Sequence, residues 1–295
     1  MFDLRYHVAS LAAVFLALIV GILVGVGIAS QDVVAKSERD LLRKDKAALE
    51  QRLDRAEGRI VALTRSQSTG RDFIDGTYRA LMANRLRGRQ VALVFVGSVD
   101  AKLRAAVQEA LRDGGGPGLF RLRALKVPVD VRAIRKQLAS RPALVRYAGE
   151  RNLAELGTSL AVEFVLGGAT PLWNALETTL VEERSGNEAL AADAVVVVRT
   201  AGPQQRATAR FLRGFYTGLA SPGFPVVGVE DSSEEVSAVE TYRRRGISSV
   251  DDVDTAPGRL ALAVLLAGGR PGRYGVKPTA DALLPPVEPV APPSG

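Results

Sequence analysis

Between His7 and Gln31 the chain carries no charged side chain, and within this run every fourth residue is small: Ala9, Ala13, Ala17, Gly21, Gly25 and Ala29. Leu, Val, Ile and Phe fill most of the positions between. As a helix, the stretch from Val8 to Ala29 rises about 33 Å, enough to cross a hydrocarbon core of about 30 Å. A short stub, 1–7, and one membrane span, 8–30, are therefore predicted. Gly27-Ile28-Ala29 before Ser30 has the small residues of a cleavage site. The apolar core, however, is longer than the roughly 7 to 15 residues of a secretory signal, and Arg5 is offset by Asp3. The segment is read as a retained anchor. Gly21 and Gly25 form a GxxxG that lets two helix backbones approach closely. With Ala13 and Ala17 they are the candidate packing positions.

After the span the period becomes seven. Leu42, Leu49, Ala56 and Leu63 recur at heptad spacing, with Leu53 and Ile60 in the second seam position. This predicts a coiled-coil stalk over 31–66, about 50 Å long, in which Leu42, Leu49, Leu53, Ile60 and Leu63 pair with a second copy of the chain. Arg39 and Lys46 interrupt the seam, and Gly58 weakens the helix by about 1 kcal/mol. A single amphipathic helix lying on the next domain is the alternative. Gln67 to Gly70 is read as a break, followed by a short helix from Arg71 to Leu86.

The period then shortens to that of buried strands. Val91–Val96, Ala194–Val198 and Val226–Val229 are continuous apolar runs of strand length, and Ile247–Val250 is read as a short last strand. Leu119 to Val127 alternates Arg with apolar residues, as an edge strand does, and Pro128 stops it. Helices are expected at Val99–Arg112 (capped by Ser98), Val131–Ala139, Leu153–Leu166, Pro171–Glu183 with Trp173 in the core, Pro203–Leu219, Ser233–Arg244 and Ala256–Ala267. The fold class is α/β: a transmembrane helix, a coiled-coil helix, then a Rossmann-like domain over 67–275 with a mostly parallel sheet covered on both faces. Six prolines crowd the tail from 276 to 295, which is predicted to be disordered.

Composition narrows the chemistry. The chain has no cysteine, which excludes disulfides, thiolate metal sites and cysteine nucleophiles. Its single histidine, His7, sits at the edge of the span. That excludes a Ser-His-Asp triad and an HExxH zinc site from the soluble part. The net charge is +7, but aromatics make up only 5%, and no nucleic-acid motif accompanies the basic clusters at 85–89 and Arg243-Arg244-Arg245. Those clusters are read as solvated faces, with no nucleic-acid partner. Lys36, Arg39, Arg43, Lys44 and Lys46 follow the span and suit anionic membrane lipid. Counted literally, they place the C-terminal part in the cytoplasm, but Asp32, Glu38, Asp40 and Asp45 interleave with them.

In a doubly wound sheet, ligands bind beyond the C-terminal strand ends, here Gly97-Ser98, Thr200-Ala201-Gly202 and Glu230-Asp231-Ser232-Ser233. Their glycine spacing matches neither GxGxxG nor a Walker loop, so no nucleotide cofactor is expected. The densest polar cluster is Ser248 to Thr255. Ser249, Asp251, Asp252, Asp254, Thr255 and the nearby Arg259 form the candidate pocket or partner site. Three carboxylates in four positions have the chemistry of a hard-cation site or an acid–base pair, whereas their place between a strand and a helix suits capping. Gly272-Arg273-Tyr274-Gly275 is read as a tight turn that docks Tyr274 on the domain.

Three segments carry a family resemblance: Arg5-x-His7-x-x-Ser10-Leu-Ala-Ala-Val-Phe-Leu-Ala17; Ser249-Val-Asp-Asp-Val-Asp-Thr255 with Gly258-Arg259; and Gly272-x-Tyr274-Gly275. In that order along residues 1 to about 275 they resemble the actinobacterial copper transporter MctB family, whose members include the SteB proteins. The resemblance implies an anchor, a stalk and an extracytoplasmic α/β domain. It also implies either copper efflux or a dimeric regulator that assists a cell-wall hydrolase beside a SteA-type membrane partner. The residues favour the second. Copper prefers thiolate, thioether and imidazole ligands, and the chain offers only Met1, Met82 and His7. A transmembrane barrel needs repeated alternating strands of about 10 residues, whereas the apolar runs here are short, few and separated by helices. The expectation is a homodimeric, non-catalytic interaction protein with no cofactor and no resident metal. The rivals are a copper transporter and a carboxylate-dependent enzyme using Asp251, Asp252 and Asp254.

Overall fold

The computed structural model describes the backbone of residues 4–221 and 223–289, and the side chains of residues 6–27, 41–74, 76–221 and 223–289. The side chains of Met1, Arg5, Ala29, Lys36 and Arg39, named above, lie outside the described residues, as does the end of the tail, 290–295. The chain divides into two compact units, 1–71 and 72–295.

One helix, α1 (Leu4–Met82), fills the first unit and runs into the second. Tyr6–Gly27 within it is long and apolar enough to cross a membrane. No break occurs at 67–70. With no proline in the stretch, the helical ladder continues, and the Thr64 and Thr69 hydroxyls donate to carbonyls one turn back. The helix ends at Met82, before Asn84 adopts a left-handed φ of 60°. Along the first unit the seam residues Leu42, Leu49, Leu53, Ile60 and Leu63 are 59–67% exposed.

The second unit is a seven-stranded sheet in the order β3-β2-β1-β4-β5-β6-β7. The strands are β1 (Val91–Val96), β2 (Leu119–Leu125), β3 (Val181–Gly186), β4 (Ala194–Arg199), β5 (Val226–Val229), β6 (Ser248–Val250) and β7 (Arg273–Tyr274). All neighbours pair parallel except β3, which runs antiparallel to β2. Helices α2 (Ala101–Asp113) and α8 (Ala256–Leu266) join Met82 and Leu86 on one face. Helices α3 (Val131–Ala139), α4 (Leu153–Leu166), α5 (Pro171–Leu180), α6 (Arg206–Ala220) and α7 (Val239–Arg243) belong with the other. Val91, Leu93 and Phe95 point to the first face, and Ala92, Val94 and Val96 to the second. Burial on both sides accounts for the continuous apolar runs of β1 and β4.

Several elements differ from expectation. β2 is not an edge strand: β3, read as the end of a helix, pairs outside it. The arginines that suggested an edge are buried instead. Arg121 donates to the carbonyls of Asn187, Phe164 and Leu190, and Arg123 to those of Leu122 and Ser185. Helix α2 begins at Ala101, because Asp100 rather than Ser98 accepts from the Leu103 amide. Helix α6 begins at Arg206, after Pro203 rather than on it. Helix α7 is short, since the Glu230 carboxylate takes the Ser237 hydroxyl and the Ala238 amide and holds 230–238 in turns. β6 is followed by β7, in which Tyr274 docks as expected, 6% exposed. The proline-rich segment is ordered as far as residue 289: Leu284 and Val287 pack on the core, and Arg273 pairs with Asp281.

Helices α4 and α6 cross closely on small residues. A Cβ on Gly214 would lie 1.8 Å from the Ala154 carbonyl oxygen, and one on Gly157 2.2 Å from that of Phe211. The Thr158 hydroxyl bridges the pair by donating to the Gly214 carbonyl at 3.0 Å.

Candidate functional site

The strand order reverses between β1 and β4, where parallel sheets ordinarily open a ligand crevice. Here the chain itself closes it. Gly97 has φ +117°, and a Cβ there would lie 2.5 Å from the Thr200 hydroxyl oxygen. Thr200 donates that hydroxyl to the Ser98 carbonyl, and the Thr200 and Ala201 amides both donate to Val96. Glycine therefore serves to draw two loops together rather than to cradle a phosphate.

The carboxylate cluster lies at the C-terminal end of β6, and the structure does gather its predicted members. Ser249, within β6, is buried. Asp251 accepts from the amides of Val276 (2.8 Å) and Lys277 (3.2 Å). Gly275 makes this approach feasible, since its φ is +135° and a Cβ there would lie 2.0 Å from Asp251 Oδ1. Asp254 accepts from both the amide and the hydroxyl of Ser232, each at 2.8 Å. Thr255 caps α8 by accepting from the Gly258 amide at 3.0 Å, and its hydroxyl contacts Asp252 Oδ2 at 2.9 Å. Asp252 is fully buried, and its Oδ1 has no hydrogen-bond partner. Burial, helped by the neighbouring charges of Asp251 and Asp254, raises its pKa to about 6.

Arg259 reaches from α8 to the end of α1. It donates to the Asp254 carbonyl at 3.1 Å and to the Tyr78 hydroxyl at 3.3 Å, and lies over the Tyr78 ring. Tyr78 in turn donates to Asp113 at 2.7 Å. Burial, with the Asp113 hydrogen bond, pushes the Tyr78 hydroxyl well above its ordinary range. The residue that sequence reasoning missed is Lys277. Its ammonium pairs at 2.9 Å with the buried carboxylate of Glu230 and donates to the Glu234 carbonyl. Glu230 was legible as a strand-end acid; its partner lay in a segment whose prolines signalled disorder.

Chemically, this arrangement is a clasp. Asp251 holds β7 and the chain after it, Asp254 holds the β5 loop, Thr255 starts α8, and Arg259 holds α1. Among the described residues no group of three or more His, Cys, Asp or Glu is placed to hold a metal ion. Asp251 and Asp254 bond to different segments, whereas the Oδ1 atoms of Asp251 and Asp252 both border Gly275, 2.0 and 3.0 Å from where its Cβ would lie. Met82 is buried in the core, and His7 lies within α1.

With this geometry in place, similarity to known proteins becomes informative. A protein-family profile described as copper transport outer membrane protein, MctB, matches residues 1–285. The chain is 27% identical over 310 residues to the copper transporter MctB of Mycobacterium tuberculosis (strain ATCC 25618 / H37Rv), covering 93% of this chain and 96% of that protein. It is also 27% identical over 321 residues to the copper transporter MctB of Mycobacterium leprae (strain TN), covering 97% and 100%.

Proposed function

The chain belongs to the MctB family, and from that premise we propose that it is a single-pass envelope protein that dimerises through its long helix and acts by interaction rather than catalysis. One observation carries this reading: five large apolar side chains at heptad spacing stand on α1 exposed to solvent. At about 25 cal/mol per Å² their burial against a second helix is strongly favourable, and identical seams on two copies match by symmetry. The small stripe Ala13, Ala17, Gly21 and Gly25 lies on the same helix and is suited to close packing in the bilayer. In this reading the α/β domain is extracytoplasmic. Its partners are of the kind the family resemblance implies, a SteA-type membrane protein and a cell-wall hydrolase.

The absence of cysteine makes the test clean. Full-length Leu49→Cys and Leu53→Cys proteins, oxidised in membranes, are expected to give a disulfide-linked dimer. Gln51→Cys, on the outer side of the same helix, is expected to give none. Failure of both seam variants to crosslink, together with sedimentation of the detergent-solubilised protein as a single protomer, would overturn the reading.

The relatives' names favour a second reading, copper transport. The donor chemistry on the chain weighs against a copper site in the α/β domain, because soft ligands there reduce to the buried Met82. On the first reading copper handling is affected through the envelope, and a copper(I) titration of the full-length protein shows no saturable site. Binding at micromolar concentration or tighter would establish the transport reading in its place.

A further inference from the structure

A second polar feature, away from the clasp, is a cavity of about 220 Å³ between α6 and α7 at the C-terminal end of β4. Four arginines line it: Arg199, Arg213, Arg244 and Arg245. No Asp or Glu does. Arg244 is paired with Glu240, and Arg199 donates to the Val236 carbonyl at 2.8 Å. Among the described residues, Arg213 and Arg245 have no carboxylate partner. Tyr216 lines the same cavity, and its buried hydroxyl has no hydrogen-bond partner. Helix α6 opens beside the cavity without a side-chain cap, so its first amides add positive potential.

Clustered guanidiniums match an anion that presents several acceptor oxygens around one centre. A phosphoryl group does so; a single carboxylate offers two oxygens and half the charge. The volume admits a phosphate bearing a small substituent. The place in the fold agrees, being outside the carboxyl end of a parallel strand. We propose that this cavity is a binding site for a phosphate monoester. It serves as a second recognition site of the α/β domain, independent of the α1 seam and of the clasp. The chemistry is shared by a soluble phosphate ester and by a phosphomonoester lipid headgroup.

The test uses full-length protein in a zwitterionic detergent, titrated with glycerol 3-phosphate, and the same protein mixed with phosphatidylcholine vesicles with or without phosphatidic acid. Saturable binding of glycerol 3-phosphate is expected. It should be weakened at least about 10-fold in the Arg213→Gln/Arg245→Gln variant, which removes two charge-assisted donors. An Arg87→Gln/Arg89→Gln variant of equal net charge should bind as the parent does. Binding to phosphatidic acid vesicles alone, lost in the first variant and kept in the second, also supports the site and assigns the phosphate to a lipid. Absence of saturable binding in both arms overturns the proposal, as does equal weakening by the two variants. Circular dichroism of each variant distinguishes loss of the site from loss of the fold.

Discussion

Asp252 has an environment that its sequence context does not announce. Read along the chain it is one of three equivalent aspartates; in the fold it is fully buried, with an unpartnered oxygen and a pKa raised to about 6. Between the unfolded value near 3.9 and that value, the folded state holds the proton more tightly than the unfolded chain. Its contribution to stability is therefore greatest below about pH 4 and is lost as pH rises through 6. Asp252→Asn should flatten the stability profile across that window. At pH 7.5 it should be as stable as the parent or more so, by up to about 3 kcal/mol. Denaturation followed through Trp173, the only tryptophan, at pH 4.5 and 7.5 checks this. An unchanged slope would contradict it. Arg121 presents the opposite case, a charge whose burial is matched by three carbonyls. Arg121→Ala leaves those acceptors orphaned and should cost about 3 kcal/mol or more. Arg121→Lys should recover only part of this, since one ammonium cannot reproduce a guanidinium fork. Unfolding midpoints of the two variants give the comparison.

Among the elements, glycine has two opposite meanings that local sequence does not separate. Gly214 lies where α6 meets α4, and an added Cβ would collide with the Ala154 carbonyl. Gly214→Ala should force the helices apart and cost about 2–3 kcal/mol. Gly58 sits in α1 with nothing within 4 Å of an added Cβ. Gly58→Ala should leave the α/β domain unchanged and raise the helical stability of the first unit by about 1 kcal/mol. Thermal scans at 222 nm of the full-length variants read both outcomes, and destabilisation by Gly58→Ala would show that the position is packed. Strands of pure apolar character were evident from sequence, because burial on both faces leaves no polar positions. β3 and β7 were not. They are short and mixed in polarity, and only their neighbours in the sheet make them strands.

On the scale of the whole molecule, the C-terminal segment completes the α/β unit rather than trailing from it. Lys277 neutralises the buried Glu230, Asp251 receives the amides of 276 and 277, and Leu284 and Val287 cover the α8 face. Removing residues 276–295 should lower the unfolding midpoint sharply. Lys277→Met should reproduce about 3–5 kcal/mol of that loss, because it strands a buried charge. Trp173 fluorescence in denaturant measures both. If the truncated protein unfolds with the parent, the segment is no part of the fold. The same view bears on the candidate site. The segment from Ser249 to Arg259, which resembles the MctB family, is where four elements are tied together, so its residues carry the architecture of the α/β unit.

The sequence alone determined the uncharged span, the heptad helix and the alternation of buried strands with helices, because each is a pattern of apolar positions written in consecutive residues. It also determined the scarcity of soft metal ligands, which follows from composition. Only the tertiary structure decided that Arg121 and Arg123 lie inside, that Asp251 and Asp254 clasp separate elements, and that Asp252 between them is buried. It alone brought Lys277 to Glu230 and gathered four arginines, spread over 47 positions from Arg199 to Arg245, around one cavity. These depend on partners far apart in the chain, and a side chain's charge fixes neither its burial nor its neighbour until the sheet has set the distance between them.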